Sequence, residues 1–356
     1  MQAEPDHPPP RVRASTILRR GVVGIVPLLV AAAFGYAGGW LDPARLTPAV
    51  IVDDLQRNAG LQPGYRRNHA KGVCVVGHFD STGAAARHSR AALFAPGRTP
   101  LVGRFAIGGG NPAAADGAGP VRSLALRLTQ ADGQQWRTGM NNMPVFPVST
   151  PTAFRAQLLA NRPDPATGKP DPAKQAAFFA AHPEAAVFRA WAKSTAPSRS
   201  YADQDYYGLN AFVFVDANGR RQPVRWRVVA EASPVDEPPE ETLEQDLVAR
   251  LRQGPLRWTL HVVFAAPGDP TADATRVWPA DRPDIVAGEI VLTRVEAQDH
   301  GACRDLNFDP LVLPDGIQAS DDPLLPARSA VYAVSHLRRT SEGTGAAQAD
   351  RSHGHD

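Results

Sequence analysis

Two cysteines, Cys74 and Cys303, are all that the 356 residues contain. So low a count excludes a disulfide-stapled scaffold, and neither cysteine has a second cysteine near it at zinc-finger spacing, which argues against a structural zinc site. The two could be bridged or could be buried and free, and the sequence leaves both open. Charge of one sign is also lacking: 38 Lys and Arg against 36 Asp and Glu leave a net +2. These charges are scattered, so no basic patch offers a surface to nucleic acid. No repeat at solenoid period is present. What remains is a chain with 43% hydrophobic residues, enough for a substantial core.

One uncharged run has membrane length. Gly21 to Leu41 carries no charged residue and is about the 20 residues that a helix needs to cross a bilayer. Arg11, Arg13, Arg19 and Arg20 precede it and Asp42 follows. That asymmetry puts the N-terminus in the cytoplasm and the bulk of the chain outside. Tyr36 and Trp40 would lie at the outer interface. A cleaved secretory signal ending near Ala37 to Gly39 competes, and the uncleaved anchor is the preferred reading. The expected organisation is a disordered tail over 1–20, a transmembrane helix or signal anchor over 21–41, a folded domain over 42–340 and a disordered tail over 341–356.

Within the folded part, Val121 to Thr129 alternates, with Leu124, Leu126 and Leu128 on one face, and Trp258 to Phe264 does the same with Leu260, Val262 and Phe264. Ala211 to Val215 and Val224 to Val229 flank the turn Asp216-Ala217-Asn218-Gly219 and read as a hairpin. Glu289 to Val295 is a further strand. Helical periodicity covers Glu240 to Arg252, ending at Gly254, as well as Thr152 to Asn161 and Lys174 to Lys193, the last interrupted at His182-Pro183. The fold class is α+β, with an antiparallel barrel or strongly curved sheet rather than βαβ winding.

Three stretches carry the chemistry. They are Arg66-Arg67-Asn68-His69-Ala70-Lys71-Gly72, Gly139-Met140-Asn141-Asn142-Met143-Pro144-Val145-Phe146, and Arg328-Ser329-Ala330-Val331-Tyr332. A buried histidine can shuttle a proton, an amide can donate a hydrogen bond without titrating, and a tyrosine can ligate iron. In this order the stretches resemble the catalase family, over roughly Thr47 to Arg339. Gly103-Arg104-Phe105-Ala106 and Tyr206-Tyr207-Gly208 add to the likeness. The chain looks like the short catalase-related peroxidase branch, without the helical domain or the flavodoxin-like extension of larger members.

That resemblance implies a catalase-type antiparallel β-barrel with surrounding helices and haem b as cofactor, here preceded by the one transmembrane helix read from the uncharged run. It implies Tyr332 as the iron ligand, with Arg328 one helical turn before it and able to reach the phenolate. His69 would be the distal base and Asn141 the group that holds the second peroxide oxygen. Phe146 and Phe154 would face the haem, and Arg66, Arg104 and Arg339 would bind its propionates. Asn142 reads as a turn residue. Two departures stand out. Ala106 stands where many catalases have a serine that hydrogen-bonds the distal histidine, so the orientation of His69 must be set in another way. Asn210 stands where catalases often have a histidine.

The expected activity is a haem-dependent peroxidase that reduces hydrogen peroxide, and organic peroxides, with small organic donors and with some catalase activity. A haem carrier or sensor, and an enzyme that rearranges lipid hydroperoxides, are the alternatives. The expected partners are hydrogen peroxide, a small organic reductant and the membrane, with no nucleic acid and no NADPH. The expected state is a monomer or homodimer, as a single-pass membrane protein with a periplasmic catalytic domain.

Overall fold

The computed structural model describes residues 14–38, 45–232 and 242–352. The chain divides into Met1–Thr47 and Pro48–Asp356. The first unit contains helix α1, Ala14–Ala37, with Pro27 inside it. Residues 14–20 are therefore helical, whereas the rest of the tail expected to be disordered lies outside the described residues. The run from Gly21 is described only as far as Gly38, so Trp40 and Leu41 also lie outside. Among the described residues no helix is long and apolar enough to cross a membrane. The described side chains of α1 begin at Ile25, and Leu28, Leu29, Phe34 and Tyr36 are all exposed.

The second unit is an antiparallel barrel with helices around it. Its strands are β1 Gly72–Ser81, β2 Gly97–Ile107, β3 Arg122–Thr129, β4 Gln135–Asn141, β5 Tyr206–Tyr207, β6 Phe212–Val215, β7 Arg221–Ala230, β8 Leu256–Phe264, β9 Asp284–Glu296 and β10 Ile317–Ala319. They follow the order β10-β6-β7-β5-β4-β3-β2-β1-β9-β8, and β8 returns to pair with β7. One edge of β7 is shared by β6 and β5 while the other takes β8. This closes a ring of eight strands, with β6 and β10 as a flap, and closure removes the free edges of those strands.

Alternation within the strands decides what fills the ring. Leu124, Leu126 and Leu128 on β3, Val224, Trp226 and Val228 on β7, and Leu260, Val262 and Phe264 on β8 are all buried in one cluster with Phe105, Trp136 and Trp258. The expected hairpin forms with Phe212 opposite Val224 and Val215 opposite Arg221. Gly219, at φ 80°, takes the left-handed turn position that a side chain would oppose.

The helices are α2 Pro48–Ala59, α3 Pro151–Ala160, α4 Pro172–Ala181, α5 Ala186–Ser194, α6 Leu243–Gln253 and α7 Leu324–Ser352. Thr150 caps α3 by accepting from the Ala153 amide, and Thr242 with Gln245 forms a capping box on α6, each satisfying amides left open by the first turn. His182-Pro183 separates α4 from α5, as the proline requires. Helix α7 continues to Ser352, past the boundary at 340 where disorder was expected.

Cys74 and Cys303 form a disulfide, with Cα atoms 5.3 Å apart and a separation of 229 in sequence. It ties β1 to the segment that follows β9. Closing so long a loop removes entropy chiefly from the unfolded chain and contributes about 2–4 kcal/mol. Cys74→Ser/Cys303→Ser should therefore lower the urea midpoint by a matching amount, with reductant giving the same shift in the wild-type protein. An unchanged midpoint would mean that the bridge carries no stability.

Candidate active site

The antiparallel register of β2, β3 and β4 builds the floor of the site. Ala106 faces Ser123 and Ser123 faces Asn141, while Arg104 faces Ala125 and Ala125 faces Gly139. Successive side chains on a strand point to opposite faces. The intervening Phe105, Leu124 and Met140 fill the barrel, so these two rows lie on its outer face. All six residues of the rows line one cavity. Its floor is flat because Ala106, Ala125 and Gly139 carry little or no side chain. A Cβ placed on Gly139 would stand 3.3 Å from Arg328 and 3.5 Å from the Tyr332 hydroxyl.

His69 enters from the turn before β1. It is the one non-glycine residue at positive φ, 55°, among the described residues, a conformation that costs about 1–3 kcal/mol. Local bonds hold it there. Asn68 Oδ1 accepts from the amides of His69 and Gly109, both at 3.0 Å. Gly72, the last residue of that stretch, lets the chain pass Arg104, since a Cβ there would lie 2.6 Å from the guanidinium.

The ring of His69 is held through Nδ1, which lies 3.1 Å from the Ile107 carbonyl oxygen and 3.0 Å from Ser123 Oγ. A carbonyl oxygen only accepts, so Nδ1 carries the proton and the lone pair is on Nε2. Burial first, then the nearby Arg104, pushes His69 down to about 4, against the Ile107 bond, which acts to raise it. Ser123 Oγ also donates to Asn141 Oδ1. The neighbouring Asn142 is tied into the scaffold instead: its Oδ1 accepts from the Arg122 amide at 2.8 Å and its Nδ2 donates to Pro120 O at 3.0 Å.

Helix α7 supplies Tyr332 to the same cavity. The Arg328 guanidinium stands 5.9 Å from the centroid of the Tyr332 ring. Its hydrogen bond goes to Asn210 Oδ1, not to the tyrosine hydroxyl as the helical spacing had suggested. Asn210 in turn donates to Asp322 Oδ2 at 2.7 Å. Burial raises the Asp322 carboxyl above its ordinary value, against the Asn210 bond, which lowers it.

Arg66, Arg104 and Arg339 gather at one end of the cavity. Their bonds within the protein are mostly to uncharged acceptors. Arg66 donates to the carbonyls of Cys303 and Leu306, Arg104 to Ala70 O and Gln298 Oε1, and Arg339 to Arg304 O. Among the described residues the one carboxylate paired with any of them is Asp305, 3.9 Å from Arg339 and with its side chain 65% exposed. Burial and the mutual repulsion of the cluster hold Arg66 well below the usual guanidinium range, and burial brings Arg104 down to about 10. Enclosed cations without enclosed anions call for an anionic ligand.

Phe146 and Phe154 also line the cavity, their ring centroids 5.8 Å apart. The expected site residues His69, Asn141, Arg66, Arg104, Phe146, Phe154, Arg328, Tyr332 and Arg339 thus meet around one space. The sequence reading missed Ser123, Phe308, which packs beside Tyr332, and Gln298, which holds Arg104. Only the strand register could have revealed Ser123, and no local motif marks the other two.

A family model described as catalase matches residues 43–349. Similar curated proteins include the catalase-related peroxidase of Synechococcus elongatus, 38% identical, with the match covering 87% of this chain and 93% of that protein. The catalase-related peroxidase of Mycolicibacterium paratuberculosis is 32% identical, with 85% and 97% covered. The catalase of Rattus norvegicus is 28% identical, and the match spans 60% of its length. Among solved structures, catalase A from Saccharomyces cerevisiae superposes with a TM-score of 0.70 at 23% identity, covering 77% of this chain and 61% of that one.

Filling the floor tests the cavity directly. Gly139→Val would push methyl groups toward Tyr332 and Arg328, whose contacts with a bare Cβ are already near the limit. The variant should fold with an unchanged far-ultraviolet spectrum yet retain less than about a tenth of the wild-type cofactor absorbance, in line with the cost of overpacking. Full retention would show that the cavity is not where the cofactor sits.

Proposed function

The chain belongs to the catalase family, and we propose that it is a haem peroxidase that reduces hydrogen peroxide with a small organic donor while keeping some catalase activity. The observation that carries this reading is the convergence of His69, Asn141 and Tyr332 on one cavity. Haem fits the donor set: a phenol for the iron, two phenylalanines for the macrocycle, and three arginines lacking enclosed anions for the propionates. In this reading Tyr332 is the iron ligand, Phe146 and Phe154 flank haem b, and Arg66, Arg104 and Arg339 hold its carboxylates. No NADPH site is assigned, and the proposed state is a monomer or homodimer.

Bound haem supplies the redox chemistry that breaks the peroxide O–O bond. The chain supplies proton movement and orientation. His69, with its lone pair on Nε2, takes the proton from one peroxide oxygen and returns it to the other, which leaves as water. Asn141 offers amide protons to hold that second oxygen, and its neutral side chain does so at any pH. Arg328 places its guanidinium beside the Tyr332 ring.

Only neutral His69 can accept the proton. Because burial and Arg104 hold it down to about 4, the neutral form is fully present above that value and is lost as pH falls through it. The rate of the peroxide reaction should thus be flat from about pH 6 upward and fall with a midpoint near 4. His69→Ala should abolish that acid limb and slow the reaction by about 10²–10⁴-fold. Oxygen release followed with and without an aromatic donor divides catalase from peroxidase turnover. A haem-loaded wild type that neither evolves oxygen nor oxidises the donor would sink the enzyme reading.

The N-terminal segment is proposed to anchor the catalytic unit on the periplasmic side. Support comes from the uncharged run and its arginine flank, and from the exposed apolar side chains of α1. The full chain should sediment with membranes and resist alkaline extraction, while a chain starting at Pro48 should be released. A full chain that is soluble after cell breakage would overturn the anchor.

A further inference from the structure

We propose that Ser123 is a positioning residue whose single hydroxyl orients Asn141 and supports the tautomer of His69, the two groups that face peroxide. This rests on the reading that those two act on peroxide. The hydroxyl expected at position 106 is missing, but Ala106 is the direct cross-strand partner of Ser123. The neighbouring strand therefore delivers an oxygen to the same place. From β3 it also reaches Asn141, its partner on the other side.

Proton bookkeeping leaves one arrangement. Nδ1 of His69 must carry its hydrogen, because Ile107 O at 3.1 Å can only accept. Ser123 Oγ at 3.0 Å from Nδ1 is then an acceptor as well, and its one O–H is free to donate elsewhere. It donates to Asn141 Oδ1. With Oδ1 engaged, the Asn141 amide cannot flip, and Nδ2 with its two hydrogens is the end left for the cavity. One hydroxyl thereby fixes a pair of donors on Asn141 beside the lone pair that Ile107 fixes on His69, the donor and acceptor that a peroxide molecule needs on its two oxygens. Two supports hold the histidine tautomer, but only Ser123 orients the asparagine. The main effect of losing the hydroxyl should therefore appear through Asn141.

The test is a double-mutant cycle on the haem-loaded full chain, read by stopped-flow reaction with peroxide and by equilibrium cyanide affinity. Ser123→Ala should slow the peroxide reaction and weaken cyanide by about tenfold, with haem content and the acid midpoint of the rate profile unchanged, since Ile107 still holds Nδ1. Ser123→Ala/Asn141→Ala should be no worse than Asn141→Ala within about twofold, and Ser123→Thr, which keeps the hydroxyl, should recover most of the loss. Wild-type behaviour of Ser123→Ala, or effects that add in full, would overturn the proposal. So would a Ser123→Ala loss explained by lower haem content. If Asn141→Ala and His69→Ala themselves react at the wild-type rate, the underlying reading of the site fails along with it. If they are slow while Ser123→Ala is not, only the assignment to Ser123 fails.

Discussion

The register of β2, β3 and β4 is the constraint on which the site depends. A slip of one residue would turn Arg104, Ser123 and Asn141 into the barrel and push Phe105, Leu124 and Met140 outward. The apolar residues packed inside the ring therefore specify the polar rows outside it. Burial of those large side chains, each worth about 1.5–3 kcal/mol, holds atoms of the site that contribute little to stability themselves. Core and chemistry are two faces of the same three strands.

A second dependence runs through the segment after β9. Gln298, Cys303, Arg304 and Leu306 supply acceptors to Arg104, Arg66 and Arg339, so one stretch of chain holds all three enclosed cations. Phe308 packs against Tyr332 from the same stretch, together with the cystine. Such a segment has little regular structure of its own, and repulsion among the arginines works against it. The Cys74–Cys303 bridge fastens it to β1, opposing that repulsion by a covalent constraint rather than by a buried carboxylate. The cations thus stay available to a ligand instead of being neutralised within the protein.

What could be read from sequence follows from how local each signal is. Leu124, Leu126 and Leu128 announce their strand because one face is core and the other is not. In β1 the consecutive residues Val73, Cys74 and Val75 are all buried, so no period of two appears and the strand was not read. His69, Asn141 and Tyr332 were legible because each sits in a distinctive string of neighbours. Ser123 was not, as its role depends on which strands pair and in what register, and the cystine was open for the same reason. The Arg328 contact was misplaced because helical spacing shows what a side chain can reach but not which acceptor wins: Asn210, fixed by Asp322, offers the better partner.

Asn210 also gives the site a symmetry of design that residue types alone conceal. Its Oδ1 faces the cation of Arg328 and its Nδ2 faces the carboxyl of Asp322, so the amide is locked by a group of complementary polarity at each end. A histidine there could exchange a proton with Asp322, whereas an amide only transmits orientation. Asn141 is held at Oδ1 alone, by Ser123, and its Nδ2 is left to the cavity. Both amides are uncharged and do not titrate. Proton movement on the distal side is thereby left to His69. Its tautomer is set by Ile107 and Ser123, and its affinity for a proton is set by burial and the positive charge of Arg104. Fixed dipoles around that ring hold their orientation while a proton crosses it, which is the condition for electrostatic preorganisation.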